Sequence, residues 1–145
     1  HKMVLTHRDF HSRNVMVLKN DLVMIDFQDA RWGIPQYDLA SLLDDCYYTL
    51  SRENQYKLLN HYYENVDQSI HDQGSFEDFK STYEEMALQR VFKAIGSFAY
   101  IYHNRKDERY LKYIGFAMEK LKTYMLKDPK FNELRTTLFS IYYAS

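Results

Sequence analysis

The sequence predicts an α+β fold that is mostly α-helical. Two observations support this prediction: short apolar runs flank a polar turn near the N-terminus, and apolar residues recur at helical spacing over most of the remaining chain. The chain has 145 residues, with only 4 Gly and 2 Pro, which is typical of an ordered globular protein. We therefore expect a single domain over residues 1–145, with a β-rich head at 1–35 and a helical body at 36–145.

The head contains the predicted strands. Residues 4–6 form a short extended run that leads into a polar loop at residues 7–14. Two apolar runs at residues 15–18 and 22–25 follow, separated by a three-residue polar turn, and this pattern is typical of a β-hairpin. Because both runs are almost continuously apolar, the sequence predicts a hairpin that is buried on both faces.

The body contains the predicted helices. Gly33 and Pro35 indicate a loop before it, and Ser75 with Asp78 three residues later resembles a capping box at the start of the longest helix. The apolar spacing predicts five helices, at residues 37–50, 53–68, 76–103, 107–126 and 129–143.

Three features refine these helices. The polar stretch 67–75 contains Gly74 and is predicted to be a connector. Gly96 lies in the middle of the longest helix, where it costs about 1 kcal/mol relative to Ala, and this suggests close packing at that position. The pair Asp128-Pro129 ends the fourth helix and places Pro129 near the first turn of the last one.

Composition argues against several classes of function. The net charge of -1 and the pI of about 6.6 indicate no surface for nucleic acid or for an anionic membrane. The single cysteine, Cys46, excludes an intramolecular disulfide and a cysteine-rich zinc site. No apolar run approaches the ~18 residues of a membrane span, and no signal peptide is evident at residue 1. We therefore expect a cytoplasmic location.

The most informative motif lies in the polar loop and at the end of the hairpin. His7, Asp9 and Asn14 form the pattern H-x-D-x-x-x-x-N, and Asp26 follows Asn14 by twelve residues. A matching His, Asp and Asn at these spacings arises by chance on the order of once per ten thousand positions. A hairpin folds the chain back on itself, so it brings Asn14 and Asp26 side by side at its open end.

These residue types suit phosphoryl transfer. A hydroxyl acceptor needs an acidic group that orients it and accepts its proton late, and Asp9 fits that role. The transferred phosphate carries dense negative charge that Mg²⁺ neutralises, and Mg²⁺ prefers oxygen ligands. Asn14 offers an amide oxygen and Asp26 a carboxylate, so the two form a candidate metal site.

The motif resembles the catalytic loop and the metal-binding segment of the kinase superfamily. His11, two residues after Asp9, replaces the Lys of protein kinases, as in the aminoglycoside-phosphotransferase branch that includes choline and sugar kinases. Residues 37–43 resemble the helix after the metal loop in that branch. Over residues 4–50 the chain is most similar to bacterial kinases that phosphorylate N-acetylmuramate and N-acetylglucosamine at the anomeric hydroxyl.

The resemblance implies the C-terminal lobe of a protein-kinase-like fold, with Mg²⁺ as cofactor, ATP as substrate and an amino sugar as acceptor. Only six residues precede His7, and no Gly-rich loop covers a phosphate. We therefore expect a fragment that lacks its N-terminal lobe and is inactive alone. It should also expose apolar surface that favours self-association.

The resemblance assigns further roles within the catalytic segment. His7 is expected to support the catalytic loop, and Asp38 to be a buried anchor for it. His11 either contacts the transferred phosphate or the nucleotide, or has a structural role. As a Mg²⁺ ligand it is disfavoured, because Mg²⁺ prefers oxygen.

Four other residues have two interpretations each. Asp29 is a second metal ligand or substrate contact, or it caps the loop. Trp32 stacks on a sugar ring, or it is a partly buried anchor. Asp44 and Asp45 lie near a substrate pocket, or they belong to a solvated helix face. The 14 tyrosines form a stacking surface, or they pack the helices together, which the helical spacing favours.

Three alternative functions remain open. An aminoglycoside or choline-like kinase differs in its acceptor, and a kinase for polycations needs a strongly acidic pocket. A non-catalytic binding module would have no need for Asp9, Asn14 and Asp26 together. A metal-dependent phosphohydrolase needs a cluster with more histidines than this sequence offers.

Overall fold

The computed structural model describes residues 2–70 and 74–144 of the chain. These residues form two units, the first extending to Arg90 and the second beginning at Val91. None of the described helices combines the length and the apolar character that a membrane span requires.

The first unit contains two small antiparallel sheets. Strand β1 (Val4–Thr6) pairs with β4 (Arg31–Gly33), and β2 (Val15–Leu18) pairs with β3 (Asp21–Met24). A 3₁₀ turn at Ser12–Asn14 connects the polar loop to β2. The predicted hairpin is confirmed, and its tight turn places Lys19 at a positive φ of 57°. Strand β4 falls where the sequence predicted a loop.

The predicted burial of the hairpin is wrong. Val17 is 73% exposed and Leu22, directly opposite it, is 74% exposed. Every residue of β3, and all of β2 except Val15, is exposed within the part of the chain that the structure describes. A continuous apolar pattern shows that a strand suits burial, but burial also needs a covering element, and no described element packs over either face.

Three helices begin in the first unit. Helix α1 (Pro35–Leu43) starts with Pro35, whose missing N–H costs nothing in the first turn. It ends seven residues earlier than predicted, because the chain turns at Asp44 and Asp45. Helix α2 (Arg52–Asn65) is capped by Ser51, whose hydroxyl accepts from the Asn54 N–H at 3.2 Å.

Helix α3 (Phe76–Arg105) begins at the predicted capping box. The Ser75 N–H donates to Asp78 at 2.9 Å, and the Asp78 N–H donates back to the Ser75 hydroxyl at 3.3 Å. Residues 71–73 of the predicted connector lie outside the described residues. The three helices enclose the core of this unit, whose buried apolar members are Ala40, Leu43, Cys46, Leu59, Phe79, Tyr83 and Ala87.

The second unit is helical. After the end of α3, a 3₁₀ turn leads into α4 (Leu111–Met125), and a second turn that begins with Pro129 leads into α5 (Asn132–Ala144). This agrees with the last two predicted helices. The buried apolar residues of this unit are Val91, Phe98, Ala117, Met118, Leu121, Tyr124, Met125 and Phe139.

Two expectations about packing have different outcomes. Tyrosines do pack against neighbouring rings, as where Phe98 stacks on Tyr110 with centroids 5.7 Å apart and Tyr62 stacks on Phe79 at 6.0 Å. Close packing at Gly96 is wrong, because a Cβ added there would meet no atom within 4 Å. The helical spacing gives a glycine's position along α3 but does not show whether a neighbour approaches it.

Candidate active site

Asp38 anchors the start of the polar loop. Its two carboxylate oxygens accept from consecutive backbone N–H groups, His7 at 2.6 Å and Arg8 at 2.9 Å. Arg8 has a φ of 72°, a conformation that costs a non-glycine residue about 1 kcal/mol or more. The two charge-assisted hydrogen bonds offset this cost and fix the direction in which the loop leaves β1.

His7 connects the loop to the end of the hairpin. The buried ring accepts from the Asp9 N–H at its Nδ1, 3.3 Å away, so Nε2 carries the proton. Nε2 then donates to the carbonyl oxygen of Ile25 at 2.8 Å. One neutral imidazole thereby joins the residue before Asp26 to the backbone of Asp9.

Asn14 has one end of its amide engaged within the loop. Its Nδ2 donates to the carbonyl oxygen of Asp9 at 2.9 Å and lies 3.4 Å from the Asp9 carboxylate. This orientation leaves Oδ1 on the opposite side of the amide. The Ile25 N–H donates to the Asn14 carbonyl at 3.0 Å and continues the β2–β3 ladder by one bond. Asn14 and Asp26 therefore lie at the same open end of the hairpin.

Asp26 is exposed and has a φ of 65°. One carboxylate oxygen accepts from Gln28 Nε2 at 2.7 Å, and the other makes no hydrogen bond to a described residue. An amide oxygen and a carboxylate oxygen are the hard donors that Mg²⁺ takes, so the two side chains fit this ion. The pair is not a larger cluster: nowhere in residues 2–70 and 74–144, this site included, are three or more His, Cys, Asp or Glu side chains placed to hold a metal.

Asp9 lies half-exposed between the side chains of His11 and Arg90. Its Oδ2 is 3.2 Å from His11 Nε2, and its Oδ1 is 3.3 Å from Arg90 Nη2. The hydrogen bond from His11 and the charge of Arg90 outweigh partial burial and lower the pKa of Asp9 from 3.8 to about 2. The carboxylate is therefore ionised throughout the neutral range.

Arg90 is a site residue that the sequence analysis missed. It comes from α3, 81 positions after Asp9, and no motif marks it. A signal does exist: Tyr83, Ala87 and Val91 form the buried stripe of α3, and Arg90 lies seven residues after Tyr83 on the same side. An arginine on a buried stripe indicates a partner inside the protein.

Asp44 and Asp45 do not form a solvated helix face, because both are buried. Asp45 accepts from the Ser12 N–H at 2.8 Å and from the Tyr47 N–H at 2.7 Å, so it holds the 3₁₀ turn that carries Asn14. Asp44 accepts from the Tyr83 hydroxyl at 2.5 Å. Sequence spacing could not show this, because the donors are distant in the chain.

Asp29 and Trp32 are exposed in the segment that follows the hairpin in the chain. Asp29 lies in a turn closed by the Ala30 N–H, which donates to the Phe27 carbonyl at 3.0 Å. Trp32 is 71% exposed on β4 and is therefore not the partly buried anchor that the sequence allowed. None of the hydrogen bonds described above connects Asp29 or Trp32 to Asp9 or Asn14.

Comparison with known proteins identifies related sequences. The model of the "phosphotransferase enzyme family" matches residues 1–75. A protein of Pseudomonas aeruginosa named N-acetylmuramate/N-acetylglucosamine kinase is 33% identical over 95% of this chain and 41% of its own length. A protein of the same name from Neisseria meningitidis is 34% identical over 74% of this chain and 32% of its own length. The chain thus spans 41% of the length of the first of these relatives and 32% of the second.

Proposed function

Because this chain belongs to the phosphotransferase enzyme family, we propose that it is the catalytic lobe of a kinase that transfers phosphate from ATP to a hydroxyl of an amino sugar. The sequence similarity to kinases named for N-acetylmuramate and N-acetylglucosamine supports this acceptor class. In this proposal residues 1–145 act as one lobe, with residues 1–35 carrying the chemistry.

The observation that supports the chemistry best is the set of hydrogen bonds that joins Asp9, Asn14 and the backbone next to Asp26. Asp9 and Asn14 are linked directly, and His7 ties Asp9 to Ile25. Asp9, Asn14 and the backbone next to Asp26, which are dispersed over 18 positions of the chain, are thus held in fixed positions relative to one another. Such fixed relative placement is what a reaction between two bound substrates needs.

In the proposed reaction Asp9 orients the acceptor hydroxyl. A carboxylate whose pKa is about 2 is a weak base, so it takes the proton only when the bond to phosphorus is well advanced. Asn14 Oδ1 and the Asp26 carboxylate would hold Mg²⁺, which supplies neutralisation of phosphate charge when bound. His11 places a ring nitrogen beside Asp9, where it can also meet an oxygen of the incoming phosphate.

The chain alone is proposed to be inactive. It spans 41% of the Pseudomonas relative, so the segments that would cover and bind the nucleotide are proposed to lie in a longer parent protein. The exposed apolar hairpin is proposed to be covered in that parent and to cause self-association of the isolated chain. We also propose that the parent is cytoplasmic, since its proposed substrate is ATP.

One observation disfavours the aminoglycoside alternative. A pocket for a polycation needs free carboxylates, and the sequence offered Asp44 and Asp45 for it. In the structure both are buried and accept hydrogen bonds from within the protein. An uncharged or anionic sugar therefore fits this site better than kanamycin.

The test is ADP release by the parent enzyme with Mg-ATP and each of four acceptors: N-acetylmuramate, N-acetylglucosamine, kanamycin and choline. We expect turnover on the two amino sugars. Asp9→Asn should lower kcat by about 10²–10⁴-fold, the range for loss of a general base. The matched control is Glu133→Gln, an exposed carboxylate on α5, which should leave kcat unchanged. Turnover by Asp9→Asn within twofold of the parent would refute the role of Asp9.

A further inference from the structure

Arg90 is held at both ends of its guanidinium. Nη2 lies 3.3 Å from Asp9 Oδ1, and Nη1 donates to the Tyr37 hydroxyl at 2.9 Å. The guanidinium carbon also lies 4.9 Å from the centre of the Tyr37 ring. Only 11% of the Arg90 side chain is exposed, whereas Asp9 is 50% exposed.

We propose that Arg90 is a positioning residue for phosphoryl transfer, which fixes the orientation of the Asp9 carboxylate while Tyr37 fixes Arg90. This inference rests on the proposed function. It assigns to α3 and α1 a part in the chemistry that the motif residues alone do not show.

The burial of Arg90 supports a specific role. A guanidinium removed from water needs compensating partners, and one of its donors, Nε, is buried without any. An arginine kept only for stability would be better replaced by an apolar residue on this stripe. An arginine at this position is explained if its contact with Asp9 is needed for function, even though its Nε donor has no hydrogen-bond partner.

The two oxygens of Asp9 are held from different sides. His11 and Asn14 approach Oδ2, at 3.2 and 3.4 Å, while Arg90 approaches Oδ1. If only one oxygen had partners, the carboxylate could still rotate about its Cβ–Cγ bond. A donor on each oxygen fixes the plane of the group, and the reacting hydroxyl needs that plane to be constant.

Tyr37 gives the arrangement its rigidity. An arginine side chain has four flexible torsions, so one contact with a half-exposed carboxylate would not hold it. The Tyr37 hydroxyl takes a second donor and the ring packs against the guanidinium. Tyr37 lies one residue before Asp38, which anchors the loop. Arg90 and the loop are therefore both bonded to the same turn of α1.

The kinetic test uses the parent enzyme with Mg-ATP and its best acceptor. Arg90→Met should lower kcat about ten- to hundredfold, as misplacement of a reacting group does, with both KM values within about twofold of the parent. Arg90→Lys keeps the positive charge but not the two-pronged guanidinium, and it should recover part of kcat. Tyr37→Phe should lower kcat less than Arg90→Met does. Lys93→Met, an exposed position on α3, is the matched control and should be unchanged.

A normal kcat in Arg90→Met would overturn the proposal. A raised KM for the acceptor with normal kcat would overturn it as well, because it would make Arg90 a binding residue. If Arg90→Met does not fold, Arg90→Lys decides: reduced kcat at constant KM supports the proposal, and full activity overturns it. A parent without turnover on any acceptor would instead refute the proposed function, and the positioning role with it.

A second measurement tests the contact without any turnover. Unfolding by denaturant of Asp9→Asn, Arg90→Met and the double variant gives a double-mutant cycle. We expect the double variant to lose less stability than the sum of the single variants, because each single change removes the same interaction. Additive losses would show that Asp9 and Arg90 do not interact and would overturn the proposal.

Discussion

The polar loop at residues 7–14 and the β2–β3 hairpin that follows it carry the two halves of one motif, yet they are held in different ways. The loop is fixed by hydrogen bonds to side chains from distant parts of the first unit, above all from Asp38 and Asp45. Among the described residues, the hairpin is held by its own ladder and by the hydrogen bonds at its open end. The geometry around Asp9 is therefore encoded within the first unit, whereas no described element packs over either face of the hairpin.

This difference has a physical reason. The loop contains backbone donors that are taken out of water, and each needs an acceptor, so polar partners specify its shape. The hairpin contains apolar side chains, which need only a surface to pack against. The polar partners of the loop lie within this chain. An apolar surface that could cover the hairpin is not found among the described residues.

The largest predicted effect on stability tests the loop. Asp38→Ala removes both acceptors from the His7 and Arg8 N–H groups, and it should lower the free energy of unfolding by about 2–3 kcal/mol, since hydrogen bonds to a charged group are the stronger kind. Urea unfolding of the 145-residue chain measures this. Asp38→Asn, which keeps one acceptor, should lose about half as much. A loss below about 0.5 kcal/mol for Asp38→Ala would show that the loop does not depend on this anchor.

The next prediction tests the small sheet from which the loop departs. A Cβ at Gly33 would lie 2.8 Å from the Thr6 hydroxyl, which is buried and donates to the Arg31 carbonyl at 2.8 Å. Gly33→Ala should therefore destabilise the chain by about 1–2 kcal/mol through overpacking.

Gly96 provides the matched control for that change, because a Cβ there meets nothing. Gly96→Ala should raise the free energy of unfolding by up to about 1 kcal/mol, since alanine favours the helix. Equal effects of the two substitutions, in either direction, would contradict the contrast between a crowded strand and an open helix face.

The smallest predicted effect on stability tests the hairpin. Val17→Lys combined with Leu22→Glu replaces a directly opposed, exposed apolar pair with opposite charges. Light scattering of the isolated chain should show less self-association, with the melting temperature nearly unchanged. Ile141→Lys, which removes a similarly exposed apolar group from α5, should leave association as it was. If association persists in the hairpin variant, the surface that mediates self-association lies elsewhere in the chain.

The sequence predicted the positions of the elements well where the signal is local. Strand β1, the hairpin and the capping box at Ser75 all depend on residues within a few positions of one another. Asn14 and Asp26 could be placed together for the same reason, because a hairpin turn is a local structure.

The parts that the sequence did not predict depend on partners from distant positions. The early end of α1 follows from Asp45, whose acceptors serve Ser12 and Tyr47. Strand β4 forms only because β1, more than twenty residues earlier, offers an edge. Arg90 reaches Asp9 across 81 positions, and no spacing rule connects them.

In the proposed function the two carboxylates have separate roles: Asp9 would act in the chemical step, and Asp26 would hold the metal ion that binds with ATP. The most direct test is calorimetric titration of the parent enzyme with ATP, with and without Mg²⁺. Asp26→Asn should weaken Mg²⁺-dependent ATP binding by about tenfold or more, the order of loss seen when metal sites are disturbed. Asp9→Asn should bind Mg-ATP within about twofold of the parent. Equal weakening by both variants, or normal binding by Asp26→Asn, would contradict this account.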